Sequence, residues 1–208
     1  MKKRKLKTNV YVDGFNLYYG ALKGTPYKWL DLDKLFKNRY PHNDIEKIKY
    51  FTARVHARDD PGKRTRQAFY WRALRTFSHI EIIEGNFQTN KVRMSLVSPP
   101  PNTAEVWKTE EKGSDVNLAV HLLNDAHKED YEVAIVVSND SDLGEAIRIV
   151  TRELRLRVGI IFPGIRPSTT LRKYATFLGP ITKSYLSRSL LPDTLEDASG
   201  EFHKPPTW

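Results

Sequence analysis

The chain has 208 residues, of which 39% are hydrophobic and 28% are charged, and this composition is typical of a folded globular protein and excludes a disordered chain. The absence of cysteine excludes a disulfide scaffold, a cysteine-ligated zinc or iron–sulfur site and a thiol nucleophile. The net charge of +9 indicates an anionic partner, with nucleic acid favoured over a membrane surface.

Short apolar segments alternate with amphipathic ones, a pattern that predicts strands separated by helices. In chain order we predict a strand over residues 9–13, helices over 17–22 and 31–37, a strand over 45–53, a helix over 61–77, a strand over 79–87 with a bulge or bend at Gly85, an irregular excursion or short hairpin over 88–107, a helix over 114–127 with Ser114 as N-cap, a strand over 132–137, a helix over 140–154, a strand over 156–162 and a helix over 170–175. This order indicates an α/β fold with a mostly parallel central sheet that is covered on both faces.

The ends of the chain differ in composition from its middle. We predict a basic N-terminal tail over residues 1–8, one α/β domain over residues 9–190 and a flexible, polar tail over residues 191–208. No apolar run approaches the roughly 20 residues that a membrane helix needs, and no apolar segment follows the basic start as in a secretory signal. We therefore expect a cytoplasmic protein without a membrane partner, and a homodimer remains open.

The positive charge is concentrated in a few segments. Residues 2–7 contain five cations, and residues 54–75 and 148–173 contain seven each. One such run is as typical of a solvated surface as of a binding site, but several together favour a surface that binds a polyanion. The candidate phosphate contacts are Arg54, Arg58, Lys63, Arg64, Arg66, Lys112 and Arg166.

Carboxylates follow two of the predicted strands. Asp13 ends the first strand, and the sequence SNDSD (138–142) follows the strand over 132–137. Asp115 lies in the first turn of the helix before that second strand, and Asn16 comes three residues after Asp13. Ligands of parallel sheets bind at the carboxyl ends of the strands, so neighbouring strands would bring together the following acids: Asp13, Asp115, Asp140 and Asp142.

Grouped carboxylates are unfavourable unless a cation neutralises them, and oxygen-only ligands suit Mg²⁺ or Mn²⁺. A divalent ion at a basic surface indicates phosphoryl chemistry. The competing interpretation is local, since Asp115, Asp140 and Asp142 all stand at predicted helix starts, where a carboxylate contributes about 0.3–1 kcal/mol. The cluster is preferred because Asp13 ends an apolar strand and because Asp140 and Asp142 cannot both be the same cap.

Several segments resemble the NYN domains (LabA/DUF88 type) of the PIN-like nuclease superfamily. They are VYVDGFNLYYG (10–20), YFTARV (50–55), RQAFYWRAL (66–74), IEIIEGNF (80–87), EKGSDVNLAVHLL (111–123), VVSNDSDL (136–143) and FPGIRPSTTLRKYATFL (162–178). The segments occur in the family's order and cover most of the chain. D-G-x-N after a strand is weak alone, but together with K-G-x-D-V and S-x-D-S-D at this spacing it is fairly specific.

The resemblance implies a PIN-like three-layer α/β/α sandwich and a metal-dependent endoribonuclease that uses Mg²⁺ or Mn²⁺. It assigns the metal to Asp13, Asp115 and Asp140, with Asp142 as a further catalytic acid and Asn16 beside the first acid. Ser138 matches the family's small hydroxyl residue, and Lys112 matches the lysine before the second acid. Both are candidate RNA contacts. RNA is the favoured substrate, and DNA stays open.

The sequence departs from the family at two positions. His121 stands where a second Asp is common, and Thr176 stands where the family commonly reads Ala-Asp. A neutral histidine is a poor Mg²⁺ ligand, so a second metal site is in question. These losses favour the alternative function, a catalytically weak or inactive RNA-binding or scaffold protein. In it, aromatic residues beside the basic surface stack on bases; the candidates are Phe69, Tyr70, Trp71 and Trp107.

Overall fold

The computed structural model describes residues 4–55 and 60–208. In chain order the elements are β1 (Leu6–Asp13), α1 (Gly14–Leu17), α2 (Leu32–Arg39), β2 (Asn43–Ala53), α3 (Gly62–Leu74), β3 (Ile80–Ser95), β4 (Thr103–Lys112), α4 (Ser114–His127), β5 (Val133–Val137), α5 (Gly144–Arg148), β6 (Arg157–Phe162), α6 (Thr169–Tyr174), β7 (Phe177–Pro180), α7 (Lys183–Ser187), β8 (Thr194–Asp197) and β9 (Gly200–His203). Short π-helical turns continue α1 over Tyr18–Leu22 and α5 over Ile149–Glu153, and a 3₁₀ turn precedes α5 at Ser141–Leu143.

Seven strands form the central sheet in the order β4-β3-β2-β1-β5-β6-β7. Within it β4 is antiparallel to β3, and all other neighbours are parallel. The chain builds outward in one direction from β1 through β2 and β3, and in the other from β5 through β6 and β7, so the strand order reverses between β1 and β5. Val12 lies opposite Val137 across this pair. The predicted parallel sheet is confirmed, and β1 and β5 are neighbours at its switch point.

Helices cover both faces of the sheet because the inner strands are apolar on both sides. Val10 and Val12 of β1 point to a core that includes residues of α2, α3 and α7. Tyr11, between them, points to the opposite core, which includes residues of α4, α5 and α6. The predicted three-layer α/β/α arrangement is therefore confirmed. In the part of the chain that the structure describes, no helix is long and apolar enough to cross a membrane.

The N-terminal boundary differs from the prediction. Pairing of β1 with β2 begins at Leu6 opposite Asn43, so residues 6–8 belong to the sheet and not to a basic tail. Lys7 is accommodated there because its ammonium pairs with Asp130 at 3.2 Å. A lysine inside a strand is therefore compatible with the sheet when a carboxylate stands beside it.

The segment predicted as an excursion or short hairpin is a hairpin, and it is long. Beyond Gly85 the strand β3 leaves β2 and pairs only with β4, in an antiparallel ribbon over Asn86–Ser95 and Thr103–Lys112. A Cβ at Gly85 would lie 2.5 Å from the Glu111 carboxylate, so the close crossing at the base of the ribbon requires glycine. The prediction underestimated the ribbon because most of its side chains are exposed on both faces and show no apolar alternation.

The C-terminal segment is not the flexible tail that the sequence predicted. Strands β8 and β9 form a hairpin in which Phe202 is buried. Arg72 of α3 donates two 2.7 Å hydrogen bonds to the Asp197 carboxylate, and Trp208 packs against Trp29 with ring centroids 6.3 Å apart. A few widely spaced apolar residues in a polar segment thus cover the outer side of the first core.

Candidate active site

Asp13 occupies the end of β1 and is held by three hydrogen bonds. The Asn16 main-chain N donates to Oδ1 at 2.9 Å, while Asn16 Nδ2 and Ser138 Oγ donate to Oδ2 at 2.7 and 3.0 Å. The side chain is 2% exposed. Burial raises the pKa of Asp13, and the hydrogen bonds from Asn16 and Ser138 oppose that rise because they stabilise the carboxylate. Residues of β1, α1 and the loop after β5 therefore orient one carboxylate at the switch point.

The loop after β5 positions the second group of acids. Ser138 Oγ accepts a 3.0 Å hydrogen bond from the Asp140 main-chain N, and Asp140 Oδ1 accepts one of 3.0 Å from Asp142 N. Asp140 is thus the cap of the 3₁₀ turn, as Asp13 is the cap of α1. Of the three acids for which capping was the competing interpretation, Asp140 is thus a cap, and Asp13 is a cap that was not predicted from the sequence. Capping fixes the main chains of both residues at the edge where the acids meet.

Asp115 lies at the same edge, in the first turn of α4, which packs on one face of the sheet. The residue before α4 is Gly113, in a left-handed conformation with φ 99°, and Ser114 is the first helical residue, not the predicted N-cap. The capping oxygens come from Glu111, which accepts from Ser114 N at 3.0 Å and from Ser114 Oγ at 2.8 Å. Sequence reasoning missed this role of Glu111, although its carboxylate three residues before Ser114 was a local signal.

The charge of the neighbouring acids acts on Asp115. Burial and then the negative charges of its neighbours raise the pKa of Asp115 to about 6. The contributing carboxylates are those of Asp13, Asp140, Glu111 and Asp142. Repulsion of this kind means that the structure brings the predicted acids into one electrostatic environment.

The acids at this site are suitable ligands for a hard cation, but their side chains are not arranged to hold one in this structure. The acids supply only oxygen donors, as Mg²⁺ and Mn²⁺ prefer, and they carry excess negative charge. Within residues 4–55 and 60–208, however, no three Asp, Glu or His side chains form a group that could hold a metal ion. Binding would therefore require side-chain movement, which the half-exposed Asp115 and the exposed Asp142 allow.

A sequence model of the NYN domain family matches residues 7–178. The chain belongs to the NYN domain family. It is 38% identical to 6-hydroxy-3-succinoylpyridine 3-monooxygenase HspA of Pseudomonas putida, over 76% of this chain and 60% of the relative, so it spans less than two thirds of that protein's length. Among solved structures, a protein of unknown function from Vibrio parahaemolyticus superimposes with a TM-score of 0.58 at 18% identity, covering 91% of this chain and 98% of that one. At this identity the likeness shows a shared fold alone.

His121 of this NYN domain belongs to a buried polar network and not to the acidic edge. Its Nδ1 lies 3.2 Å from Lys49 Nζ, and Lys49 Nζ donates at 2.6 Å to Asp125, which also accepts from the Tyr11 hydroxyl at 2.7 Å. An ammonium beside the imidazole disfavours a metal cation there. The six residues from Asp115 to His121 correspond to about 9 Å along a helix, which separates the network from the acids.

Thr176 lies at the opposite edge of the sheet. Its hydroxyl accepts a 3.0 Å hydrogen bond from the Val158 main-chain N, and its own main-chain N donates to Val158 O at 2.8 Å. Val158 is the second residue of β6, so Thr176 joins β7 to the amino end of that strand. An acid at this position would be remote from the acids at the carboxyl ends.

The predicted phosphate contacts occupy several surfaces around the acidic edge. Lys63 and Arg66 line a cleft that begins at Gly14, and Arg54 and Arg64 line a groove at the base of the β3–β4 ribbon. Some are already paired, Arg66 with Asp60, Arg54 with Glu84 at 3.7 Å and Lys112 with Glu110 at 3.3 Å. Arg166 lies in the loop after β6, and Arg58 is outside the described residues.

Asn139 is a site residue that sequence reasoning missed. Its main-chain N donates to Asn16 Oδ1 at 3.2 Å, its Nδ2 donates to Arg166 O at 3.0 Å, and its Oδ1 accepts from Ser168 N at 2.7 Å. It thereby connects the α1 turn to the loop after β6. Its place between Ser138 and Asp140 was a signal, but its partners are distant in sequence.

Proposed function

We propose that the protein is a metal-dependent endoribonuclease that hydrolyses phosphodiester bonds of RNA at the acidic edge of the sheet. The observation that supports this most directly is the arrangement of Asp13, held by Asn16 and Ser138, beside Asp115, whose pKa is raised to about 6. A buried carboxylate next to like charges at a switch point is the environment in which functional acids are found. Membership of the NYN family supports the same proposal.

The acids have separate roles in this proposal. Asp13, Asp115 and Asp140 would hold one Mg²⁺ or Mn²⁺, which when bound lowers the pKa of water and stabilises developing negative charge. Asn16 and Ser138 keep the Asp13 carboxylate in its orientation. Asp142 is exposed and accepts a proton from the attacking water.

Binding of RNA rests on the cations around this edge. Each phosphate neutralised by Lys or Arg releases counterions, so affinity falls as salt rises. Lys63 and Arg64 stand on the first turn of α3, and Arg166 approaches from the loop after β6. RNA is favoured as the partner, and a homodimer in which two such surfaces face one polyanion stays compatible with the proposal.

Cleavage of a labelled mixed RNA pool in Mn²⁺, in Mg²⁺ and in EDTA tests the proposal. The wild type, Asp13→Asn, Asp140→Asn and a control, Asp44→Asn, are compared, because Asp44 is an exposed acid on β2. We expect cleavage by the wild type and the control only with metal, and none by the two site variants. Unchanged cleavage by Asp13→Asn overturns the site assignment. RNA binding without cleavage under every condition favours the alternative, an inactive RNA-binding or scaffold protein.

A second candidate function is action on a small aromatic compound. The observation that favours it is the 38% identity to an enzyme named for a substituted pyridine, together with an aromatic cleft beside Asp13. Incubating the protein in air with 6-hydroxy-3-succinoylpyridine and a reduced nicotinamide as electron donor, and following the ultraviolet spectrum of the ring, separates this activity from RNA cleavage. Consumption of the pyridine with no cleavage of RNA favours the second candidate.

A further inference from the structure

A cleft opens directly beside the candidate active site, between α1 with its π-helical turn, β2 and α3. Its cavity volume is about 70 Å³, and it opens to solvent at its mouth. Gly14 and Phe15, the two residues after Asp13, line its wall. A Cβ at Gly14 would lie 2.8 Å from the Tyr50 hydroxyl, so the chain after Asp13 rests directly on Tyr50. The cleft and the acidic edge therefore share one wall.

The lining of the cleft combines flat aromatic rings with two hydroxyl groups. Phe15, Tyr19 and Trp71 contribute ring surface. Tyr50 is 7% exposed and Thr52 is 2% exposed, and both line the cleft. Among the described residues neither side-chain hydroxyl makes a hydrogen bond to the protein, and neither is a fully enclosed unpaired atom. Both hydroxyls therefore face the space of the cleft, where they are available to polar atoms of a bound molecule.

Cations stand at the same cleft. Lys28 and Lys63 line it, and Arg66 lines it while paired with Asp60. The Tyr50 hydroxyl lies at the same wall as these cations and can donate a hydrogen bond to a ligand. A ligand that matches this lining has a flat ring, acceptor atoms on the ring and a negative charge near the rim.

We infer that this cleft binds a planar, hydrogen-bonding aromatic ring that bears an anionic group. The identity of the ring rests on the proposed nuclease function. If the protein cleaves RNA, the ring is the base of a nucleotide adjacent to the cleaved phosphodiester. Phe15 and Tyr19 stack on the base, Tyr50 and Thr52 hydrogen-bond its edge, and Lys63 contacts its phosphate. A free aromatic carboxylate has the same chemistry and is the other source.

Calorimetric titration of the full-length protein in EDTA tests the inference without cleavage. The probes are uridine 5′-monophosphate, adenosine 5′-monophosphate, ribose 5-phosphate, which lacks a base, and benzoate, which lacks a sugar. Since stacking of one base contributes about 1–3 kcal/mol, we expect the mononucleotides to bind about tenfold or more tightly than ribose 5-phosphate. Benzoate binding above both mononucleotides supports the ring site and assigns it to a small aromatic acid.

Three variants relate the binding to the cleft. Tyr19→Ala removes a ring that is 53% exposed, and Thr52→Val removes a hydroxyl at nearly constant shape; each should weaken binding of the ring-bearing probes and leave ribose 5-phosphate unchanged. The matched control is Trp107→Ala, which removes a 62% exposed ring from the β3–β4 ribbon and should have no effect. Equal affinity of all probes, or equal losses in variants and control, overturns the inference.

Asp13→Asn separates this inference from the proposed function. It should lose RNA cleavage and keep mononucleotide binding, because the probes bind in EDTA. If Asp13→Asn loses cleavage but the protein binds mononucleotides no more tightly than ribose 5-phosphate, the proposed nuclease function is supported and the base site is contradicted. If the wild type binds mononucleotides more tightly than ribose 5-phosphate but never cleaves RNA, the ring site is supported and the nuclease function is contradicted.

Discussion

Asn16 donates two hydrogen bonds to Asp13, one from its main-chain N to Oδ1 at 2.9 Å and one from Nδ2 to Oδ2 at 2.7 Å. The first belongs to the helix cap of α1 and any residue could make it. The second is specific to the amide side chain, whose Oδ1 also accepts from Asn139 N at 3.2 Å. The amide thus joins the end of β1 to the loop after β5.

Replacement of Asn16 should therefore affect activity more than folding. Asn16→Ala keeps the main-chain cap and removes the bond to Oδ2, and we expect cleavage to fall by about 10–100-fold, as for other residues that orient metal ligands. Cleavage rates and the melting temperature are measured beside Asn124→Ala, an exposed asparagine of α4. Equal cleavage by Asn16→Ala and the control would show that the orientation of Asp13 does not depend on this amide.

Removal of one charge from the acidic edge should stabilise the metal-free protein. Burial and then the charges around Asp115 raise its pKa, which means that the folded protein disfavours the ionised carboxylate. We expect Asp115→Asn to raise the melting temperature in EDTA, by about 2–4 °C for each 1 kcal/mol in a chain of this size. In Mn²⁺ the wild type should gain more stability than the variant. Asp44→Asn is the control, and a lower melting temperature for Asp115→Asn in EDTA would contradict the prediction.

The buried ion pair between Lys49 and Asp125 should be costly to break from one side. Its atoms are 2.6 Å apart, and the side chains are 8% and 6% exposed. Lys49→Met leaves a buried carboxylate without its cation, so we expect a loss of about 3–5 kcal/mol in the free energy of unfolding. The double variant Lys49→Met/Asp125→Leu should lose less. Urea unfolding measures both, and equal losses would mean that the pair itself contributes little.

His121→Asp should not produce a second metal site. The new carboxylate would stand beside the Lys49 ammonium, which now lies 3.2 Å from the imidazole, and would pair with it. We expect unchanged Mn²⁺ stoichiometry and no gain in RNA cleavage over the wild type. Calorimetric titration with Mn²⁺ checks this, and a second equivalent bound by the variant would show that the family's additional acid is recoverable in this chain.

The C-terminal hairpin should lose its attachment in acid. Hydrogen bonds from Arg72 lower the pKa of Asp197 to about 2 from its ordinary 3.8. Because the folded-state pKa is the lower one, the stabilisation is complete above about pH 4 and is lost as the pH falls through 2. Asp197→Asn should therefore melt below the wild type at pH 7, and the difference should shrink between pH 4 and pH 2. Asp193→Asn, at an 85% exposed position, is the control, and a difference independent of pH would contradict this assignment.

Where an element has a local cause, the sequence was sufficient to predict it. Strand β5 is an uninterrupted apolar segment, and Asp31, at the start of the helix predicted over 31–37, accepts from Lys34 N at 2.8 Å as the cap of α2. Asp13 at the end of an apolar strand and the SNDSD motif after another placed acids at the ends of two strands. The parallel α/β fold followed from the alternation of such elements.

Other features depend on partners that are far away in sequence. The length of the β3–β4 ribbon is determined by ten cross-strand pairs and not by an apolar pattern within either strand. The C-terminal hairpin is held by Arg72 of α3, more than 120 residues earlier. Both segments are polar in composition. The contacts that order them are few and specific, so they leave no pattern in the sequence from which the ordered structure could be predicted.

The sequence by itself determined which acids exist, which strands they follow and that a parallel sheet would bring strand ends together. Only the tertiary structure decided that β1 and β5 are neighbours, that Asn139 and Glu111 support the site, and that His121 lies against Lys49. The physical reason is that caps and apolar periodicity act over a few residues along the chain, whereas strand order, burial and charge repulsion arise between residues that meet only after the sheet has formed.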